Sequence, residues 1–383
     1  MKKIKVLMVA GSMDVGGIES QLMHLFRNAD KDKFQIDFTS TMANAIHRKE
    51  IEENGGKFLL IPHMNWTRPW EYCGAMLKIM KDGGYDIVHS HELFHSGVTL
   101  FLAKMAGIPG RFVHAHNWCD GDGTGRKTSI VRRFYNSVMR VLINSCSTVR
   151  IACSSWAGEF VYGKKMIQKP GYYLVYNSVD TAKFLDLYDN EEAGEFVDPE
   201  WINVLNVGRF TPVKNQLFLV DIAEELRRKG KKIRFLCAGS NSAGYLDAVQ
   251  QEVEEKGLQE YVKLLGVRKD IDNLMRKSHA FVLPSKYEGM PLVMIEAQSS
   301  GLPCVSAATY SPEVDFEIGK LTWLYLDDGP AVWAEHIENA INGKRASKEQ
   351  VEKAIENKGF DSRCFSEKLC SLYEKEVRLR GEK

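Results

Sequence analysis

Several features that would assign a sequence to a special class are missing from this chain. Lysine and arginine together number 51 against 50 acidic residues, so the overall charge gives no reason to expect a nucleic-acid-binding protein with a pervasive basic face. The eight cysteines form no C-x-x-C pair and no zinc-ligand spacing. Cys237 and Cys304 lie in apolar runs, where a small buried thiol packs well. We therefore expect a protein of the reducing cytoplasm.

Long apolar runs are also missing. No segment approaches the roughly 20 apolar residues that a membrane-spanning helix needs. The N-terminal sequence MKKIKVLMVAGSMD has the lysines and the apolar run of a signal peptide, but the run is short, and glycine and Asp14 follow at once. It predicts a first buried strand instead. The sequence shows no internal repeat and no low-complexity tract.

What the chain does have is length and an alternation of strand and helix patterns. Its 383 residues predict two domains of roughly 150 to 200 residues each. Short apolar runs separated by helical segments are typical of parallel sheets, so we predict an α/β protein with two doubly wound domains, at 1–180 and 201–360. The acidic, weakly periodic segment from Thr181 to Glu200 is the predicted connection. The predicted strands are Val6–Ala10, Ile36–Thr41, Ile87–His89, Phe112–His116, Val149–Cys153, Leu174–Asn177, Ile202–Val207, Ile233–Ala238, Val262–Leu265, Phe281–Leu283 and Cys304–Ser306.

The most informative segment runs from Phe281 to Ser306 and sets two carboxylates around a strand-to-helix turn. Gly289 and Pro291 mark the turn, Glu288 precedes the helix, and Glu296 falls within its first two turns. A helix start offers unpaired N–H groups and a favourable dipole for an anion, so this turn can hold a diphosphate. A carboxylate at the depth of Glu296 can accept two ribose hydroxyls. The pattern predicts a nucleotide-sugar site.

Two further loops carry candidate ligand-binding residues. The loop after the first strand contains Gly16, Gly17 and Glu19, and glycines there let backbone amides approach a phosphate or a sugar. Its spacing is not G-x-G-x-x-G, so a nicotinamide cofactor is weakly supported. Arg209 and Lys214 follow the first strand of the second domain, where two cations can neutralise a departing phosphate.

Two H-x-H motifs end strands of the first domain, His89 with His91 and His114 with His116. The alternation of a strand puts both histidines of a motif on one face. This geometry suits either a metal ion or hydrogen bonds to sugar hydroxyls, and the absence of a third ligand at a suitable spacing favours the sugar. We therefore predict no metal.

Two features of the segment that follows invite other interpretations. Asp120-Gly121-Asp122 spells the D-x-D that binds a divalent cation in transferases of the GT-A fold, although the glycine-rich context favours a solvated loop or acceptor lid. Residues 126–150 carry six basic and no acidic residues among apolar positions at helical spacing. This helix either packs on the core with a basic solvent face or contacts an anionic membrane.

Taken together, these motifs resemble glycosyltransferase family 4. The E-x7-E pair follows a V-x-P-S-x-x-E-G turn and precedes A-x-x-x-G-x-P, and GGIE, HAHN, YNSVD and VGRFTPVKN occur in the family's order. The resemblance extends over nearly the whole chain, and the GGIES and MPLVMIEAQSSGLPCV sequences are most similar to bacterial capsular and exopolysaccharide transferases. It implies the GT-B fold, with two Rossmann-like domains facing a central cleft and a last helix, at 361–383, that packs back on the first domain.

The resemblance also implies site residues and an activity. The catalytic residues would be Glu288, His114, Lys214 and Arg209, and the acceptor-side residues Asn117 and Glu19. The donor-binding residues would be Gly16, Gly17, Gly208, Asn215, Gly289, Met290, Pro291, Leu292 and Glu296. We expect a retaining, metal-independent transfer from a nucleotide sugar, with UDP as the expected nucleotide, to a glycan or polyprenyl-linked acceptor at the inner face of the membrane. The alternatives are a sugar-nucleotide epimerase or hydrolase, a dehydrogenase and a catalytically silent nucleotide-sugar-binding subunit.

Overall fold

The computed structural model of the chain describes residues 2–13, 16–65, 67–118, 129–186, 198, 200–242 and 244–381. These residues fall into two compact units, each built around a parallel sheet. The first unit contains the described residues up to Ser178 and those from Ser362 onward, and the second contains those from Val179 to Asp361. The α/β class and the two doubly wound sheets predicted from the sequence are therefore confirmed.

The sheet of the first unit has the strand order β3-β2-β1-β4-β5-β6-β7. Its interior strands are apolar on both faces because helices cover both sides, and Val6 to Val9 have no exposed surface. The strands are β1 (Ile4–Val9), β2 (Phe34–Ser40), β3 (Phe58–Leu60), β4 (Ile87–Ser90), β5 (Gly110–Ala115), β6 (Val149–Ala152) and β7 (Tyr172–Leu174). The helices are α1 (Gly17–Asn28), α2 (Arg48–Glu53), α3 (Pro69–Gly83), α4 (Ser96–Met105), α5 (Ile130–Cys146) and α6 (Ser155–Tyr162).

The sheet of the second unit has the order β10-β9-β8-β11-β12-β13. Its strands are β8 (Ile202–Val207), β9 (Ile233–Ala238), β10 (Val262–Gly266), β11 (Ala280–Leu283), β12 (Cys304–Ala307) and β13 (Leu321–Leu324). Its helices are α7 (Thr181–Leu185), α8 (Gln216–Arg228), α9 (Tyr245–Glu255), α10 (Ile271–Lys277), α11 (Leu292–Ser299), α12 (Gly329–Ile341) and α13 (Lys348–Lys358). Trp333 of α12 is fully buried in the core beneath this sheet.

The last helix, α14 (Ser362–Gly381), belongs to the first unit. Phe365, Leu369 and Tyr373 enter the same apolar core as β1, β2 and α1. The hydroxyl of Ser366 donates a hydrogen bond to the carbonyl oxygen of His24 on α1. The last segment of the chain thus completes the core that the first segment begins. No helix among the described residues is long and apolar enough to cross a membrane.

Three sequence predictions need correction. The strand predicted at Leu174–Asn177 lies earlier, at Tyr172–Leu174, and β3 and β13 were missed. Both missed strands lie at sheet edges and have only three or four residues, too few for a periodic pattern to show. Thr181–Leu185, expected to be part of an acidic connection, is helix α7, which packs against α11 and α13.

The topology of each sheet marks the place where a ligand should bind. In the second sheet β8 lies between β9 and β11, so the connections from β8 and β11 leave in opposite directions. In the first sheet β1 occupies the equivalent position between β2 and β4. Open α/β sheets bind ligands at the carboxyl ends of such strands, where the loops diverge.

Candidate functional site

The loops that follow β8 and β11 are tied together at the carboxyl edge of the second sheet. The Asn206 amide donates to the carbonyl oxygen of Val282 at 2.9 Å, which couples the two strands. In the loops beyond these strands, the backbone N–H of Lys286 donates to the carbonyl oxygen of Val213 at 2.8 Å. The Asn215 side chain donates to the carbonyl oxygen of Pro284 at 3.2 Å. These bonds hold the two predicted ligand loops in one fixed arrangement.

Lys214 and Glu288, one from each of these loops, form an ion pair. Lys214 Nζ lies 2.5 Å from Glu288 Oε1, and the two side chains are 19% and 13% exposed. The lysine reaches across Gly208, where a Cβ atom would lie only 3.3 Å from the lysine methylenes. Gly208 therefore provides the space in which the Lys214 side chain lies. Arg209, the neighbouring cation, is exposed.

Helix α11 begins directly after this pair. Gly289, Met290 and Pro291 are buried, and Pro291 is the residue before the first helical residue, Leu292. No side chain caps this helix start, which leaves its first backbone N–H groups able to bind an anion. The predicted diphosphate position thus combines helix amides with the Lys214 ammonium.

Glu296 lies in the second turn of α11 and has an unusual pKa. Burial raises the pKa of this carboxyl group to about 7, and Asp272 acts in the same direction, while Lys183 opposes them. Lys183 and Asp272 themselves form an ion pair at 3.4 Å. Near neutral pH the carboxylate form of Glu296 therefore lacks full compensation, and ribose hydroxyls that donate to it would stabilise it.

Some structural supports of this site were not found in the sequence. A Cβ atom at Gly239, just after β9, would clash with the carbonyl oxygen of Gly208, so only glycine fits there. The Gln216 amide donates to the carbonyl oxygen of Arg209 at 3.1 Å. The Thr309 hydroxyl donates to the carbonyl oxygen of Ser285 at 2.7 Å. Gly239 alone left a recognisable signal, a glycine directly after a predicted strand.

The two H-x-H motifs come together in the first unit, because β4 and β5 are neighbours. The rings of His114 and His116 stack with centroids 4.1 Å apart, and those of His89 and His91 lie 4.2 Å apart. His91 Nδ1 and His116 Nε2 are 2.9 Å apart, within hydrogen-bond distance. The hydroxyl of Tyr373 on α14 lies 2.6 Å from His89 Nδ1. We call the four histidines, His89, His91, His114 and His116, the histidine cluster.

The histidine cluster is buried and electrically neutral. Burial lowers the pKa of all four imidazoles, to about 4 for His116, and the charges of neighbouring histidines add to this effect at His89, His91 and His114. The backbone of Val175 offsets the shift of His114 only in part. His114 has no exposed surface, whereas His116, just beyond the end of β5, is 7% exposed. His116 is therefore better placed than His114 to reach a ligand, and the catalytic role of His114 stays a prediction.

The cluster also has the geometry of a possible metal site. His89, His91 and His114 offer ring nitrogens that all lie within 4.8 Å of one another. Neutral imidazoles are good ligands for zinc, but these three bring no carboxylate to compensate a buried dication. The prediction that the protein needs no metal stays a prediction, and the metal content of the purified chain would test it.

The remaining predicted residues of the first unit lie in the loops after β1 and β5. Gly16 precedes α1, and Gly17 is its first residue. Glu19 accepts a hydrogen bond from the Ser12 hydroxyl at 2.7 Å, and its carboxylate folds back over Gly16. Asn117 is exposed. The structure therefore shows Glu19 bracing the glycine loop, while its predicted contact with the acceptor remains untested.

The other predicted motifs are only partly described. Asp120-Gly121-Asp122 lies outside the described residues, as do residues 126–128. Two of the basic residues counted toward a membrane-facing helix point inward instead. Arg150 is 6% exposed and donates to the carbonyl oxygen of Pro170, and Arg140 donates to the backbone carbonyls of Phe160 and Val161.

Known protein families match both halves of the chain. Residues 15–183 match the family described as Glycosyltransferase Family 4. Residues 190–358 match the family described as Glycosyl transferases group 1. The two matches follow one another along the chain and divide it near the predicted connection.

Individual relatives extend over most of the sequence. The putative glycosyltransferase EpsF of Bacillus subtilis is 31% identical over 374 residues, which cover 96% of each chain. The capsular polysaccharide biosynthesis glycosyltransferase CapH of Staphylococcus aureus is 25% identical and covers 89% of this chain and 92% of its own. A third relative, UDP-Gal:alpha-D-GlcNAc-diphosphoundecaprenol alpha-1,3-galactosyltransferase of Escherichia coli, is 29% identical over 60% of both chains.

Solved structures share the architecture at low sequence identity. A glycosyltransferase from Rickettsia africae superposes with a TM-score of 0.77 at 17% identity, covering 98% of this chain and 99% of the other. HepE from Anabaena, solved in complex with UDP and glucose, gives a TM-score of 0.74 at 17% identity, with 97% and 99% coverage. At such identities the likeness concerns the fold, and it confirms the predicted GT-B fold.

Proposed function

This chain belongs to glycosyltransferase family 4, and from that premise we propose that it moves a sugar from UDP-sugar to a lipid-linked or oligosaccharide acceptor in capsule or exopolysaccharide synthesis. The observation that carries the proposal is the Lys214–Glu288 ion pair, held at 2.5 Å beside the start of α11. An enzyme that separates a sugar from a diphosphate needs a cation and helix amides at one end and a carboxylate near the sugar. The second sheet brings these groups to one edge.

Each residue of this edge has a proposed role. The diphosphate would lie at the start of α11, with Lys214 and Arg209 supplying positive charge, and Glu296 would accept hydrogen bonds from the ribose. Glu288 would then position the transferred sugar. In the first unit, His114 would contact the sugar and Asn117 the acceptor, and Gly16 and Gly17 would let backbone amides approach the donor.

We propose a transfer that retains the anomeric configuration. The acceptor hydroxyl attacks the anomeric carbon on the face from which the diphosphate departs. A new C–O bond forms as the bond between the anomeric carbon and the phosphate oxygen breaks, and the acceptor proton passes to the departing phosphate. The cations at the second sheet stabilise the negative charge that develops there, so no divalent metal is required.

The choice of UDP and of a lipid-linked acceptor is supported by the relatives. The Escherichia coli relative is named for a UDP-sugar donor and a diphosphoundecaprenol acceptor, and HepE binds UDP. A lipid-linked acceptor would bring the enzyme to the inner face of the cell membrane.

A thermal-shift panel of UDP, GDP, ADP, CMP and NAD, each with magnesium or with EDTA, tests the proposal first. A ligand at one hundred times its Kd should stabilise the native state by about 2.7 kcal/mol. We expect a shift with UDP that is unchanged by EDTA. A Glu296→Gln variant should weaken this shift, while Glu335→Gln, a change at an exposed position of helix α12, should leave it intact.

Other outcomes would contradict specific parts of the proposal. A shift with NAD alone would point to a dehydrogenase, and a shift that needs magnesium would remove the metal-independent mechanism. Release of an altered nucleotide sugar in the absence of acceptor would identify an epimerase. Binding of UDP without transfer to any acceptor, in an assay with undecaprenyl-linked sugars, would favour a silent subunit.

A further inference from the structure

Helix α5 is apolar on two faces, although a surface helix normally has one. Met139, Ile143 and Cys146 are buried in the first unit. Facing away from them, Ile130 is 83% exposed, Phe134 71% and Val141 66%. An ordinary amphipathic helix would carry polar residues at these outward positions.

The outward apolar residues form one continuous stripe. Residues spaced by three, four or seven positions lie on the same side of a helix, which places Ile130, Phe134 and Val141 in line. Val131 and Val138, which are 78% and 39% exposed, widen the stripe. Single exposed apolar residues are common, but a run of five along one helix face indicates a surface that contacts something.

The charged residues of α5 itself are all basic. Between Asp122 and Glu159 the sequence contains no acidic residue. Arg133 is exposed near the start of α5, where the helix dipole favours acidic groups and disfavours cations. A surface that supplies anions near this helix start would relieve the unfavourable arrangement.

The neighbouring helix α4 also exposes apolar residues and a lysine. Phe101 and Met105, four residues apart on one side of α4, are 44% and 57% exposed, and Lys104 lies exposed between them. The two helices pack closely because α4 has a glycine at the crossing, where a Cβ on Gly97 would lie 2.9 Å from the carbonyl oxygen of Met139. Helix α4 therefore lies directly beside α5 at this crossing.

We propose that the outer face of α5, with the exposed residues of α4, docks on an anionic lipid bilayer. Apolar side chains on an interfacial helix enter the boundary between headgroups and acyl chains, while arginines pair with anionic headgroups. The choice of a bilayer as the occupant rests on the proposed lipid-linked acceptor. Arg140 and Arg150 face inward, so the apolar stripe supplies most of the binding and Arg133 supplies the preference for anionic lipid.

Co-sedimentation of the full chain with vesicles tests this surface. We expect binding to phosphatidylcholine vesicles that contain phosphatidylglycerol, and weaker binding to phosphatidylcholine alone. Replacing both Ile130→Ser and Phe134→Ser should lower the partition coefficient at least about tenfold, because two large apolar groups no longer enter the bilayer. Arg133→Gln should lower it about fivefold, and only for the anionic vesicles.

A matched control uses exposed apolar residues elsewhere in the same unit. Ile46→Ser with Leu379→Ser, at positions 60% and 51% exposed, should leave binding unchanged. Equal loss with the control pair, or no vesicle binding by the unaltered chain, would overturn the proposal. A change in oligomeric state on Ile130→Ser and Phe134→Ser, measured by light scattering, would identify the stripe as a contact between copies of the chain and would also overturn it.

The vesicle experiment is independent of the proposed transfer reaction. The vesicles contain no sugar acceptor, and UDP binding by the second unit is measured separately by thermal shift. Vesicle binding without UDP binding would contradict the proposed function alone. UDP binding without vesicle binding would contradict the docking surface alone.

Discussion

The carboxyl edges of the two sheets are built on opposite electrostatic principles. The edge of the second sheet is ionic and partly open to solvent, with Lys214 paired to Glu288 and Arg209 exposed. The edge of the first sheet is neutral and closed, with four imidazoles whose pKa values are lowered by burial. The two edges share a topology but differ in the chemistry that they can perform.

The difference is consistent with the two roles proposed above, diphosphate binding at the second edge and sugar binding at the first. Charged groups that stay partly solvated can bind a diphosphate and stabilise the charge that develops when it leaves. Neutral imidazoles in a dry environment can donate and accept hydrogen bonds without attracting a counterion, which suits hydroxyl-rich sugars. The experiments below separate these roles by disturbing one edge at a time.

The largest effect should come from removing the cation of the second edge. Lys214→Ala should lower the turnover of sugar transfer by about 10²- to 10³-fold, because one preorganised positive group at the departing phosphate is lost. Turnover should suffer more than folding. Steady-state transfer rates and thermal melts of the same preparations measure the two effects.

Lys286→Ala is the matched control for this prediction. Lys286 is exposed and lies two residues before Glu288 in the same loop, so it tests whether any nearby positive charge suffices. Near-normal transfer by the Lys214 variant, or equal loss in both variants, would remove the proposed role of the ion pair.

A backbone change at the second edge should act on stability instead. Gly239→Ala forces a Cβ against the carbonyl oxygen of Gly208, and neither backbone can move without disturbing the Lys214 loop. We expect the free energy of unfolding to fall by about 3 kcal/mol, together with weaker UDP binding. Differential scanning calorimetry measures the first effect and a UDP titration the second.

Gly74→Ala provides a control of opposite sign. Gly74 lies within α3, and a Cβ there would meet nothing within 4 Å. Alanine should raise the free energy of unfolding by about 0.5–1 kcal/mol, because glycine costs conformational entropy inside a helix. If Gly239→Ala left the free energy of unfolding unchanged or raised it, the close approach of Gly239 to Gly208 would not contribute to stability.

Sequence patterns predicted the fold well where elements are long and buried. The strands Ile202–Val207 and Ile233–Ala238 agree with β8 and β9 at both ends, since apolar runs bounded by turn residues specify central strands. The short edge strands β3 and β13 carry no such pattern. Helix α7 was missed because its five residues are stabilised by packing against α11 and α13.

The candidate site was predictable as a set of residues but not as a geometry. The motif order placed Lys214 and Glu288 in the loops that the structure joins, yet their pairing spans 74 positions and depends on β8 lying beside β11. The alternation of each H-x-H motif was read correctly. The four-membered cluster depends on the adjacency of β4 and β5, which no local pattern specifies.

Acid should distinguish the two edges through their effects on stability. At the first edge His116 has a pKa of about 4 in the folded chain against about 6.5 when unfolded, so the unfolded state takes up a proton first as the pH falls below 6.5. Between pH 7 and pH 5 this group alone should lower the free energy of unfolding by about 2 kcal/mol. The other three histidines act in the same direction.

Glu296 at the second edge should act in the opposite sense. Its pKa of about 7 lies above the unfolded value of about 4.3, so the folded state takes up the proton first, and stability rises as the pH falls from 7 toward 4.3. From pH 7 to pH 5 the gain should be about 2 kcal/mol, which offsets part of the histidine effect. Denaturant unfolding of the unaltered chain at several pH values therefore reports only the sum.

Single variants recover the two contributions. His116→Asn should make stability less sensitive to acid, because it removes a group that destabilises the folded state as the pH falls. Glu296→Gln should make stability more sensitive to acid, because it removes a group that stabilises the folded state as the pH falls. His63→Gln, at an exposed histidine of the first unit, is the control for the loss of an imidazole as such. If His116→Asn and Glu296→Gln shifted the profile in the same direction, the two edges would not differ in the sign of their charge regulation. The contrast between a neutral edge and an ionic edge would then fail.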